Sequence, residues 1–235
     1  DISKSTQRAV INELVAWQQV GENRNVVQLL DFMWDTTLCY FVMERCENTF
    51  PDMMRKQTEL NEKTLGFYFF QMAKAMAYIH SVGVVHRDIK PDNFFVSGKG
   101  RVLKLGDFGL SSLMPKKGGL EGIYGTAPFM SPEMLKHIPY GPKIDVWAFG
   151  VIVYVLLCGC FPYTPTESGS KAMKQAIVDN YPQPRFEPLA HASNVTLSRN
   201  VLDLLRLALF RDPSRRPTSV QLLLMPYMMQ VSGSP

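Results

Sequence analysis

Asp88, Asn93 and Asp107 are the residues of this sequence best placed to do chemistry. Asp88 closes a His-Arg-Asp triplet within "HRDIKPDN", Asn93 ends that stretch, and Asp107 opens an Asp-Phe-Gly. Between Asn93 and Asp107 lie two apolar runs, "NFFV" and "RVLKL", split by "SGKG". That pattern reads as a strand hairpin with a glycine turn. Neighbouring strands lie roughly 5 Å apart, so the amide and the acid can stand side by side at one end of the hairpin. Together they offer hard oxygen ligands, which suit Mg²⁺, a cation usually shared with phosphates. Asp88, on a loop after a long helix, is placed to accept or orient a hydroxyl proton. Lys90 can offset charge on a transferred phosphoryl group. The set fits phosphoryl transfer from a nucleotide to an alcohol.

Several elements must position these groups. "STQRAVINELVAWQQV" carries apolar residues at 10, 11, 14, 15 and 17, the spacing of an amphipathic helix, and Gly21 stops it. "NVVQLLDFMW" and "LCYFVMER", split by "DTT", read as a pair of strands. "NEKTLGFYFFQMAKAMAYIHSVG" reads as a long helix that starts at an Asn cap and ends near Gly83. Helical patterns then cover 142–158, 169–179, 198–210 and 218–228, with prolines between them. No internal repeat or low-complexity segment interrupts this order.

Bulk properties narrow the setting. The chain has 235 residues, 46% hydrophobic and 20% charged, which is ordinary for a globular protein with a sizeable core. The net charge of +4 is spread without a basic run, so a nucleic-acid partner is not expected. Cys39, Cys46, Cys158 and Cys160 lack metal-ligand spacing; reduced thiols and a cytoplasmic location are expected. The uncharged run "VWAFGVIVYVLLCGCF" is shorter than the roughly 20 residues a bilayer span needs. A buried central helix is expected there, and no membrane span.

The motifs resemble those of the eukaryotic-type protein kinases. "HRDIKPDN" and "DFG" match the family's catalytic loop and metal motif, with Ile89 in place of Leu. "GTAPFMSPE" resembles the end of its activation segment, with Ser131 in place of Ala; "DVWAFG" and "RDPSRRPT" resemble two later motifs. The implied fold is α+β, with residues 1–43 as a partial small lobe and residues 44–235 as hinge and mostly helical large lobe. The resemblance implies Asp88 as catalytic base, Lys90 on the γ-phosphate, and Asn93 and Asp107 on Mg²⁺. It makes Met43 the gatekeeper, turns the backbones of Glu44 and Cys46 toward the adenine of ATP, and puts Phe95 beneath that ring. Arg216 is expected to pair with Glu133, Asp145 to anchor the catalytic loop, and His86 to pack beneath Phe108. Arg87 is a candidate clamp for a phosphate on the activation segment. Lys90 and Thr126 look like those of enzymes acting on Ser/Thr hydroxyls of protein substrates, and the texture is most similar to the calcium/calmodulin-dependent class.

The pattern departs from the family at its start. The Gly-rich phosphate loop and strand Lys that precede the first helix are not found ahead of Glu13, the helix acid that would pair with that Lys. The expectation is a trimmed or partial chain whose small sheet is truncated, with an exposed edge, weak nucleotide binding and poor turnover. A kinase-fold scaffold, or pseudokinase, is therefore the competing reading, against which the intact Asp88, Asn93 and Asp107 count. Small-molecule phosphotransferases are a third class, and the Glu133–Arg216 pairing argues against them. No EF-hand loop occurs, so any calcium-responsive regulatory domain would lie outside these residues. His80, His137 and His191 read as lone histidines without ligand partners, and the Met-rich "LLLMPYMM" reads as core filling.

Overall fold

A computed structural model describes residues 4–35, 38–57, 61–187 and 197–232. The first helix, α1 (Lys4–Val20), ends before Gly21, whose φ of +63° a side chain would resist. Strands β1 (Leu29–Trp34) and β2 (Cys39–Met43) pair antiparallel as a two-stranded sheet. Leu30, Met33, Trp34, Tyr40 and Val42 of this hairpin are exposed.

A short strand β3 (Asn48–Thr49) leads into α2 (Phe50–Arg55), whose first turn is capped by the Thr49 side chain. Helix α3 (Glu62–Ser81) starts with a reciprocal capping box between Asn61 and Thr64. After it come β4 (Val84–Val85), β5 (Phe94–Ser97), β6 (Val102–Leu105) and β7 (Ser112–Leu113). Strand β5 is the centre of a three-stranded sheet between β3 and β6, while β4 pairs with β7. The β5–β6 register matches Phe94 with Leu105, and the Gly106 N–H donates to the Asn93 carbonyl at 2.9 Å. Asp107 therefore follows directly on the residue paired with Asn93.

Short α4 (Pro132–Leu135) is followed by α5 (Lys143–Cys158), the "VWAFG" helix. Residues 144–154 of α5 are buried in one run, so it is the core helix rather than a span. Among the described residues no helix is long and apolar enough to cross a membrane. Helices α6 (Ser170–Asp179), α7 (Arg199–Ala208), α8 (Ser219–Leu223) and α9 (Pro226–Val231) complete the described body. Helix α7 crosses α5 closely at Gly150, where a methyl group would meet the Ala208 Cβ at 2.9 Å.

The sequence reading of one helix over 218–228 is corrected: two helices stand there. Thr218 caps the first, and Pro226, which lacks an N–H, sits in the first turn of the second. Met228 is buried, as core filling requires, but Leu224 and Met229 are exposed. All four cysteines are free thiols.

Candidate active site

The segment from His86 to Asn93 is held in place by a carboxylate from the core helix. Asp145, 1% exposed on α5, accepts the backbone N–H groups of His86 and Arg87 at 2.9 Å each. It also takes His80 Nε2 at 2.8 Å, while His80 Nδ1 lies 2.8 Å from Ser219 Oγ. Burial alone would raise the Asp145 pKa; the His80 hydrogen bond first, then the attraction of the His80 ring, outweigh it and hold the acid ionised. His80 is thus not the lone histidine the sequence suggested. It ties α3 and α8 to the anchor of the loop, and its place in the last turn of α3 was the only available signal.

His86 is fully buried. Its Nε2 lies 3.0 Å from the Gly106 carbonyl, its Nδ1 lies 3.3 Å from the Asp88 N–H, and its ring meets Phe108 edge-on at 5.3 Å. Burial lowers its pKa and favours the neutral ring. It supports the loop and faces no open space, as expected. Phe108 in turn stacks on Trp17 of α1 at 5.6 Å, and Trp17 Nε1 donates to the Val27 carbonyl at 2.8 Å. That link between α1 and the Asp-Phe-Gly was not legible in the sequence.

Asp88 receives a hydrogen bond on each oxygen. Thr126 donates its hydroxyl to Oδ1 at 2.8 Å, and Lys90 Nζ reaches Oδ2 at 2.7 Å. Lys90 Nζ also lies 3.1 Å from Thr126 Oγ1, which closes a triangle of three side chains. Asn93 Nδ2 donates to the Asp88 carbonyl at 2.8 Å and is 3.3 Å from Oδ2. Gly125 makes this approach possible: a Cβ there would fall 2.5 Å from the Arg87 carbonyl oxygen, at a φ of +104°.

The donor set for a hard cation was tested on atoms left over from this network. With Asn93 Nδ2 committed to Asp88, its Oδ1 has no hydrogen bond among the described residues, yet it is not among the buried atoms sealed without a partner. Asp107 is exposed, and its Oδ1 meets only the Gly109 N–H, at 3.4 Å. A carboxylate and an amide oxygen at the base of one hairpin fit Mg²⁺ that completes its shell with phosphate and water. They do not form an all-protein cage: no cluster of three His, Cys, Asp or Glu ligands occurs among the described residues.

Glu13 and Asp107 flank Gly109, where a methyl group would lie 3.3 Å from Asp107 Oδ1 and 3.5 Å from Glu13 Oε2. Among the described residues no cation pairs with Glu13. Burial, then the Asp107 charge, raises its pKa.

On the β2 side, Met43 is half exposed. The Glu44 N–H is engaged with the Gln28 carbonyl at 3.0 Å, which leaves its own carbonyl, and the Cys46 N–H, without bonds among the described residues. The Glu44 carboxylate takes Lys104 Nζ at 2.9 Å, a pair the sequence gave no reason to expect. Phe95 lies across Gly106 and beside Val27 on this same side of the hairpin. Arg87 is bonded to the Leu110 carbonyl at 2.6 Å and its guanidinium lies 4.0 Å from the Tyr124 ring centre. Glu133 and Arg216 meet at 2.7 and 3.1 Å, both buried.

Comparison with known proteins decides the family. The protein kinase domain model matches residues 1–228. The chain belongs to the protein kinase family. The kinase domain is 34% identical over 226 residues to sperm motility kinase 3A of Mus musculus, covering 95% of this chain and 42% of that protein. It is 34% identical over 239 residues to the serine/threonine-protein kinase PAK 4 of Mus musculus, covering 100% of this chain and 38% of that protein. It is 35% identical over 226 residues to CDPK-related kinase 1 of Arabidopsis thaliana, covering 94% and 38%. These matches bear out the expected Ser/Thr kinase class, CDPK-related kinases included. The kinase domain spans about two fifths of the length of the curated relatives it matches.

Proposed function

We propose that this kinase domain transfers the terminal phosphoryl group of ATP to Ser or Thr hydroxyls of protein substrates. The observation that carries this reading is the closed triangle of Asp88, Lys90 and Thr126, with Asn93 bonded beneath it. Thr126 and Lys90 hold the Asp88 carboxylate in one orientation, so it can take the proton of an incoming hydroxyl as the new O–P bond forms and the bond to ADP breaks. Lys90 sits where it can follow charge moving onto the transferred group. Asn93 Oδ1 and Asp107 would hold Mg²⁺, which neutralises the phosphates and orients them in line. The unbonded Glu44 carbonyl and Cys46 N–H would meet the adenine edge, with Met43 behind and Phe95 below. The Glu133–Arg216 pair would brace the segment that receives the peptide. In this reading the small lobe ends at Met43 and the hinge begins at Glu44.

A second reading has one observation in its favour. Glu13 faces the like charge of Asp107, and among the described residues no cation stands beside it. A scaffold that binds partners, with impaired transfer, would show that feature too.

The test is Mg²⁺·ATP-dependent phosphorylation of a basic Ser/Thr peptide by the chain, beside its Asp107→Asn variant. Transfer that falls at least about a hundredfold in the variant supports the enzyme reading. Equal, background-level transfer by both proteins supports the scaffold.

A further inference from the structure

A groove of about 980 Å³ lies on the face built by α2, the start of α3 and the turn between β5 and β6. Among the described residues its rim carries Arg24, Lys56, Lys63, Lys99 and Arg101 against a single carboxylate, Glu47. That surplus is as large as the +4 net charge of the whole chain, so charge elsewhere on the molecule is balanced. All five cations are exposed and none forms an ion pair among the described residues, whereas neighbouring Arg55 is paired with Asp52. Like charges gathered on one rim repel one another, and an anionic partner relieves that repulsion.

The floor of the groove is apolar. Met53, Met54 and Val96 form its buried part, and the edges of Phe67 and Tyr68 continue it. The cations come from four separate places: ahead of β1, the end of α2, the first turn of α3 and the hairpin turn. A small anion could touch one or two of them, while an extended chain could touch all. Tyr68 offers no free face for stacking nucleobases: it is enclosed by Phe67 at 5.2 Å and Phe50 at 5.4 Å, and its hydroxyl donates to the Gly100 carbonyl. A recessed apolar floor also does not suit a flat lipid surface.

We propose that this groove docks an extended acidic peptide segment of a partner protein, its carboxylates on the cationic rim and its apolar side chains on the methionine floor. The groove sits at the turn end of the β5–β6 hairpin, while Asn93 and Asp107 stand at its base. At roughly 3.3 Å per residue the turn is about 13 Å away from Asn93. Docking therefore leaves the phosphate-transfer residues free, and it does not depend on the chain being active.

Fluorescence anisotropy tests this with a labelled peptide of Glu and Leu residues, its Lys/Leu counterpart and a labelled single-stranded oligonucleotide. The chain is expected to bind the acidic peptide, more weakly as salt rises, and to ignore the basic one. Lys99→Glu combined with Arg101→Glu should weaken binding about tenfold. Lys63→Glu, which places an acid in the first turn of α3 where the helix tolerates it, should weaken it about threefold. Lys171→Glu, outside the groove, should leave it unchanged. Absence of binding, equal binding by all variants, or tighter capture of the oligonucleotide would each overturn the proposal. None of these readouts moves if the chain proves inactive, so failure here is separate from failure of the kinase reading.

Discussion

Glu133 and Glu13 are two glutamates in one molecule, treated in opposite ways. Glu133 is 4% exposed and receives both terminal nitrogens of Arg216, itself 1% exposed. Glu13, half-buried on α1, faces Asp107 and no cation among the described residues. The body around α5 behaves like Glu133 throughout: the buried Asp145 carboxylate takes two N–H groups and a histidine. Among the described residues the α1 side leaves its acid without a cation, beside a hairpin that carries exposed apolar side chains. The difference separates what is fixed from what is receptive. Charge is paired around α5, and among the described residues it is left without a counter-ion at Glu13.

The largest effect should come from breaking the satisfied side. Arg216→Ala strands Glu133 in the interior and should lower stability by about 3–5 kcal/mol in urea unfolding. Replacing both partners, Arg216→Met with Glu133→Leu, should recover most of that loss, since neither charge is then buried alone. A loss under about 1 kcal/mol for the single change would dissolve the contrast with Glu13. Asp145→Asn should come next, at about 2 kcal/mol near neutral pH, because charge-assisted bonds to two N–H groups and His80 weaken together. The Asp145 pKa is lowered in the folded chain from 3.8. Its contribution is therefore present above that value and fades as pH falls through the lower folded one. The gap between the two proteins should close in acid, and a gap constant with pH would mean that Asp145 acts by shape alone.

How much of this was legible in the sequence follows the same division. The hairpin that sets Asn93 against Asp107 was readable because "SGKG" and the flanking apolar runs are local signals, and the register then follows from one turn. The Glu133–Arg216 meeting was expected only from the family resemblance, since nothing local links residues so far apart. His80 and Lys104 were misread or passed over for that reason: each finds its partner across a long loop of chain, Asp145 and Glu44 respectively. The exposed face of the β1–β2 hairpin has the alternation of a strand, but alternation cannot say which face lacks a cover. The division of 218–228 into two helices was signalled by Pro226 and should have been read.

Ser131 offers a sharper test inside the satisfied region, as one of its two exceptions beside Trp147 Nε1. The residue is 1% exposed, and its buried hydroxyl has no hydrogen-bond partner among the described residues. Ser131→Ala, the residue the family resemblance leads one to expect there, removes an orphaned polar group without changing shape. It should raise stability by about 1 kcal/mol in urea unfolding. A loss instead would mean that the hydroxyl is satisfied in solution, leaving Trp147 Nε1 on α5 as the remaining buried polar atom without a partner among the described residues.

Glu13→Gln should give the smallest shift and the one that bears most directly on the comparison. The folded pKa of Glu13 is raised above 4.5, by burial first and by Asp107 second, so ionisation at neutral pH works against the fold. Removing the charge should stabilise the chain near pH 7 by only about a few tenths of a kcal/mol, because the carboxylate is still partly solvated and screened. The gain should vanish as pH falls below about 4.5, where both folded and unfolded chains carry the proton. Thermal unfolding of both proteins across that range reads the difference directly. If Glu13→Gln destabilises the chain at pH 7 instead, Glu13 already has a cation in solution, and the two glutamates are not opposites at all.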